Sequence, residues 1–161
     1  VKASAADSPR VRDGMWGRKT GMSGHKASEH KRIVLIDDDV DFLEYARIVL
    51  ESASYEVLTA TDAADGMKLI KSSSPDLIIT DVMMSYSLEG VTVARAIRAD
   101  PALRQLPVLV ITAIARTPDA ELFSEGARPA SDGFLTKPVS PERLLSVVHN
   151  CLSSEGACRL S

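Results

Sequence analysis

Each of four short apolar runs in this chain leads to a residue suited to handling phosphate. Asp37, Asp38 and Asp39 follow residues 33–36, Asp81 follows residues 77–80, Thr112 follows residues 108–111, and Lys137 stands just beyond Phe134 and Leu135. If the runs are parallel strands, these residues meet at one edge. Carboxylates gathered there repel one another and stay ionised only around a cation. Oxygen ligands with no His or Cys beside them select Mg²⁺, which keeps waters that a phosphate oxygen can replace. Lys137 adds a point charge able to pair with a carboxylate or a phosphoryl oxygen, and the Thr112 hydroxyl adds a donor. Phosphoryl transfer needs little beyond positioning and charge neutralisation, and this set supplies both. Asp81 is the expected nucleophile.

The elements that position these residues follow from the apolar pattern. From Ile33 the chain alternates β-branched runs with amphipathic segments, as parallel strands joined by crossover helices do. Strands are expected at residues 33–36, 55–60, 77–80, 108–111 and around Phe134 and Leu135. The first helix, over 40–52, places Leu43, Ala46, Val49 and Leu50 on one face. The second, capped by Thr61 or Asp62, carries Met67, Leu69 and Ile70 and ends at the Ser72-Ser73-Ser74-Pro75 breaker. A third holds Val91, Val93, Ala94 and Ile97 and stops near Asp100-Pro101. Pro118 opens a fourth toward Gly126. Ser140-Pro141 opens the last, with Leu144, Leu145, Val148 and Leu152 expected to face the sheet. In an open α/β sheet the functional crevice lies at the carboxyl ends of the strands, where the charged residues fall.

Composition narrows the class. Hydrophobic residues make up 45% and charged residues 25% of the 161, ordinary for one water-soluble domain able to bury its own core. No apolar run approaches the roughly 20 residues of a bilayer-spanning helix, and the N-terminus lacks a secretory signal pattern, so a cytoplasmic location without membrane insertion is expected. Cys151 and Cys158 are too few for a disulfide framework and have no zinc-ligand partners. The net charge of -3 conceals an asymmetry: residues 1–32 hold eight Lys/Arg against three Asp/Glu, and the remainder eleven against nineteen. An acidic body with 4% aromatic residues argues against nucleic acid as the main ligand. Residues 1–30 show no sustained apolar period and are expected to form a disordered basic tail. Because Met15 and Met22 lie inside that stretch, part of it is expected to precede the natural start. The folded domain is placed at 31–153 with a short tail at 154–161, too short for an output domain.

The strings Val34-Leu35-Ile36-Asp37-Asp38-Asp39, Ile78-Ile79-Thr80-Asp81-Val82-Met83-Met84, Val110-Ile111-Thr112-Ala113 and Phe134-Leu135-Thr136-Lys137-Pro138 together resemble the receiver domains of two-component response regulators. Any one string is a weak signal; four in order at strand ends are a strong one. The resemblance implies a (βα)5 doubly wound α/β fold, a five-stranded parallel sheet in the flavodoxin-like order 2-1-3-4-5. It implies Mg²⁺ held by Asp38 and Asp81, by Asp37 largely through water, and by the Met83 backbone carbonyl. Thr112 and Phe134 would form a switch pair, and Lys137-Pro138 resembles the family's cis peptide. The implied partners are a sensor histidine kinase or His-phosphotransfer protein and a downstream protein target, with the chain acting as a stand-alone phosphoacceptor rather than an enzyme.

Several residues have plainer readings. Asp39, directly before a helix, is expected to be an N-cap rather than a metal ligand, and Asp41 to sit in the first helical turn. Phe134 is a core aromatic whether or not it moves, and His25, His30 and His149 have no partners at telling spacing. The chain departs from the family pattern at Ser85, which replaces a proline, and in the loop through Gly90, which is a residue longer. It departs again at the longer stretch between Ala127 and Phe134. Met83 and Ile114 are apolar where the family tunes phosphoryl lifetime, so slow self-dephosphorylation is expected. A rival reading treats Asp37-x-Asp39-Val40 as the motif of a haloacid-dehalogenase-like phosphohydrolase, with Asp37 as nucleophile and Asp39 as acid/base. It lacks that family's later acidic motif and gives Asp81 no role. A docking module that is never phosphorylated is the third possibility, and the complete acidic set argues against it.

Overall fold

The computed structural model describes residues 30–82, 84, 89–113 and 131–153, apart from the side chain of Glu89. Strands β1 (Arg32–Ile36), β2 (Glu56–Ala60), β3 (Leu77–Thr80), β4 (Val108–Thr112) and β5 (Gly133–Thr136) form one parallel sheet in the order β2-β1-β3-β4-β5. This is the expected order. Helices α1 (Val40–Ser52), α2 (Ala63–Ser73), α3 (Glu89–Ala99) and α4 (Pro141–Ser153) pack on it. The helix expected from Pro118 to Gly126 lies outside the described residues, as do residues 1–29.

Strand alternation divides the core in two. Ile33, Leu35, Leu77, Ile79, Leu109 and Ile111 point to the face covered by α1 and α4, where Leu43, Ala46, Leu50 and Leu144 meet them. Val34, Ile36, Ile78, Val108 and Val110 point to the other, against Ile70, Val91, Ala94 and Ile97. Helices on both faces explain why the inner strands are continuous apolar runs instead of alternating ones. Burying each of these Val, Leu and Ile side chains stabilises the fold by about 1.5–3 kcal/mol.

Local chemistry sets the helix limits. Asp39 caps α1, its carboxylate accepting from the backbone N–H of Asp41 and Phe42, both at 3.1 Å. Asp62, not Thr61, caps α2 through the Asp65 N–H at 2.8 Å. At the far end of α1 the Ser54 N–H donates to Glu51 O and the Tyr55 N–H to Leu50 O, with Ser54 left-handed at φ 65°. This is a Schellman closure. It explains why β2 begins at Glu56, one residue later than the sequence pattern suggests: Tyr55 is spent on ending the helix.

The last helix differs from expectation. Leu144, Val147, Val148 and Cys151 are buried, while Leu145 and Leu152 only flank that core. The inward stripe follows i, i+3, i+4, i+7, so the small Val147 and Cys151 sit where the two leucines were expected. At the entry to β5, the nearly buried Asp132 side chain pairs with Arg98 of α3 and accepts the Val108 N–H at 2.8 Å. Arg98 also donates to Leu106 O at 2.7 Å, so the end of α3 is tied to the starts of β4 and β5.

Candidate functional site

The sheet holds the charged residues by extending its ladder one step past the strand ends. Asp37 donates its N–H to Ala60 O at 3.1 Å, Asp81 to Ile36 O at 3.0 Å, and Lys137 to Thr112 O at 2.8 Å. Each residue is therefore fixed to the neighbouring strand before its side chain does anything. The three sit at the tips of β1, β3 and β5, with β3 central in the order.

Their side chains converge. Lys137 Nζ donates to Asp37 Oδ2 at 2.6 Å and to Asp81 Oδ2 at 3.1 Å, and its side chain is 14% exposed. Asp37, Asp38 and Asp81 each present a carboxylate oxygen within 4.8 Å of the others, with Asp37 and Asp81 buried and Asp38 exposed. Burial raises the pKa of Asp37 against the opposing pull of the Lys137 ammonium and the Asp39 N–H, and repulsion from Asp81 adds to the rise. For Lys137, burial alone would favour the neutral amine. The hydrogen bond and charge of Asp37, supported by Asp81, outweigh it and hold the pKa above the usual lysine value.

Three oxygen donors around one point, one facing solvent, fit a hard divalent cation with retained waters. These are the residues the resemblance implies, less the Met83 carbonyl, which lies outside the described residues together with Ile114. Asp39 is not in the group, because its carboxylate is turned onto the α1 backbone. That removes the acid/base required by the dehalogenase-like reading. Thr112 is buried at the tip of β4, beside β5, and Phe134 is half-buried on the face shared with Val110. The Lys137-Pro138 peptide is cis, as the resemblance implies.

Two features escaped the sequence pattern. A Cβ on Gly90 would stand 1.6 Å from Asp81 O, so the first turn of α3 rests directly on the Asp81 backbone because residue 90 has no side chain. The other is Phe42, whose ring centroid lies 4.2 Å from Lys137 Nζ. Its place at the fourth position after Asp38 marks it only as an apolar residue of α1; no spacing signal reveals what its ring faces.

The family model described as the response regulator receiver domain matches residues 33–149. The DNA-binding dual master transcriptional regulator RpaA of Synechocystis sp. is 37% identical over 122 residues, which is 75% of this chain and 48% of that protein. The response regulator PleD of Caulobacter vibrioides is 33% identical over 119 residues, 74% of this chain and 25% of that protein. The chain thus spans less than half the length of these curated relatives. The chemotaxis response regulator CheY4 of Vibrio cholerae superimposes with a TM-score of 0.67 at 28% identity, covering 76% of this chain and 99% of that one. A CheY-like receiver domain protein from Methanospirillum hungatei gives a TM-score of 0.68 at 28% identity over 78% and 96%.

Proposed function

This chain belongs to the response regulator receiver family, and from that premise we propose that it accepts a phosphoryl group on Asp81 from a phosphohistidine donor. The observation that carries the reading is the Asp81 carboxylate at the tip of the central strand, 3.1 Å from Lys137 Nζ and grouped with Asp37 and Asp38. The donor is a sensor histidine kinase or a His-phosphotransfer protein. An Asp81 carboxylate oxygen attacks phosphorus, the phosphorus–nitrogen bond of the donor breaks, and the imidazole leaves with that electron pair.

Asp37, Asp38 and Asp81, with the Met83 carbonyl, are the residues that would hold Mg²⁺, which supplies neutralisation of the phosphoryl charge. Lys137 moves from Asp37 to a phosphoryl oxygen, exchanging one anionic partner for another. The Thr112 hydroxyl donates to a second oxygen. That movement leaves room beside β4 into which the half-buried Phe134 turns, changing the face around β4 and β5 that a downstream protein reads. An acidic body supports a protein target in preference to nucleic acid for this part of the molecule.

Phosphotransfer from candidate histidine kinases tests the reading. Wild type should take up label that is stable to native conditions and lost in base, whereas Asp81→Asn should take up none; labelling of the variant at the wild-type level would refute the assignment.

A further inference from the structure

Lys137 sits at the edge of a cavity of about 660 Å³ whose lining includes Phe42, Tyr45, Ala113, Pro138 and Val139. An amine on a four-carbon stem beside open space has many rotamers to choose from. Asp37 and Asp81 attract it, but neither is a constant anchor: both belong to the carboxylate group that would hold a cation, and Asp81 is the group to be modified. Among the described residues, the ring of Phe42 is a neighbour that neither titrates nor is modified.

We propose that Phe42 is a positioning residue for Lys137, its ring keeping the amine aimed at the Asp37–Asp81 edge while the amine's carboxylate partners change. This rests on the reading of Asp81 as phosphoacceptor. The geometry suits the task. Nζ lies 4.2 Å from the ring centroid, within the range over which the negative face of an aromatic ring attracts a cation. That attraction is broad across the ring, so the amine can slide from one oxygen to another without losing it. An ammonium has three N–H donors, and the two carboxylates engage two of them.

The ring is itself braced. Tyr45, one turn along α1, lies with its centroid 6.1 Å from that of Phe42 and tilted by 44°. Its hydroxyl donates to Val139 O at 2.7 Å, two residues beyond Lys137. Asp39 fixes the start of the same helix. The ring and the amine are thus referenced to one frame, α1 clamped to the segment after β5.

The test uses the full chain as wild type, Phe42→Leu, Phe42→Trp and Tyr45→Phe, with the Lys137 ε-methylene proton shift read by NMR in each. Phosphorylation by a small acyl phosphate with Mg²⁺ is measured alongside. The ring should shift the Lys137 signals upfield in wild type and in Phe42→Trp, and the shift should vanish in Phe42→Leu. Phosphorylation of Phe42→Leu should slow by about three- to tenfold, the range expected for a partly desolvated cation–ring contact. Phe42→Trp should restore the rate, and Mg²⁺ affinity should not change, because the ring meets the lysine and not the carboxylates. Tyr45→Phe keeps both rings and loses only the brace, so it should show a partial loss of the shift even if Phe42→Leu folds poorly. Unshifted Lys137 signals in wild type, or wild-type kinetics in Phe42→Leu, would overturn the proposal. Absence of phosphorylation in wild type with the Lys137 shift intact would instead sink the Asp81 reading, and with it the purpose of the ring.

Discussion

Burial governs Asp37 more than any neighbouring charge does, and that has a measurable consequence. Its pKa is raised in the fold, so the folded state holds the proton more readily than the unfolded chain. Stability linked to this group is therefore greatest below the ordinary aspartate value of about 4 and declines as pH rises through the raised value. A divalent ion favours the ionised cluster and works in the opposite direction. We expect Mg²⁺ to leave the melting temperature unchanged near pH 4 and to raise it near pH 7. At ten times its dissociation constant the gain should be about 1.4 kcal/mol, or roughly 4–8 °C. Thermal denaturation with and without Mg²⁺ across that range checks the sign, and Asp38→Asn should abolish most of the gain. At this scale the acidic residues, Thr112 and Lys137 were legible in the sequence because each stands at the end of an apolar run. Phe42 and Gly90 were not, since an aromatic ring and a glycine carry no spacing signal, and their importance arises only where α1 meets the end of β5 and α3 meets Asp81.

Element boundaries follow hydrogen bonds that the apolar pattern does not encode. The closure of α1 places Ser54 in the left-handed region, where a side chain is disfavoured, although the residue is exposed and its N–H already serves Glu51. Ser54→Gly should stabilise the domain by up to about 1 kcal/mol, read as a higher denaturant midpoint with unchanged slope. A loss of stability would mean that the entropy of glycine in the unfolded chain outweighs the relief. The strands and the first three helices could be read from the sequence because β-branched runs and 3.6-residue periodicity persist in them. The stripe on α4 could not be assigned as well: Leu145 and Leu152 compete with Val147 and Cys151 on hydrophobicity alone, and only the seating of the helix on the sheet decides between them. Asp39 illustrates the converse, a carboxylate beside the site whose role the capping rule foretold.

For the molecule as a whole, the charged cluster and both core layers identified among the described residues are built from residues 30–153, and we expect the site to form without residues 1–29. Removing residues 1–29 should leave the affinity for Mg²⁺ with beryllofluoride, a stand-in for the phosphoryl group, unchanged by calorimetry. A weakened affinity would give the basic stretch a part in the site. The acidic character of the remainder was legible from composition, and the strand order from the resemblance, but the reach of the output was not. RpaA and PleD are at least twice as long as the segment they share with this chain, whereas the matched CheY4 chain is covered almost whole, so a receiver of this kind serves in proteins of quite different size.

The Arg98–Asp132 pair bears on how the chain returns to the site. By fastening the last residues before β5 to α3 and to the first amide of β4, it gives the chain a fixed re-entry point on the way to Lys137. The strand that leads to the lysine is therefore entered from a threshold held by α3 and β4. The aim of Lys137 is thus anchored from upstream as well, by a pair that lies outside the charged cluster.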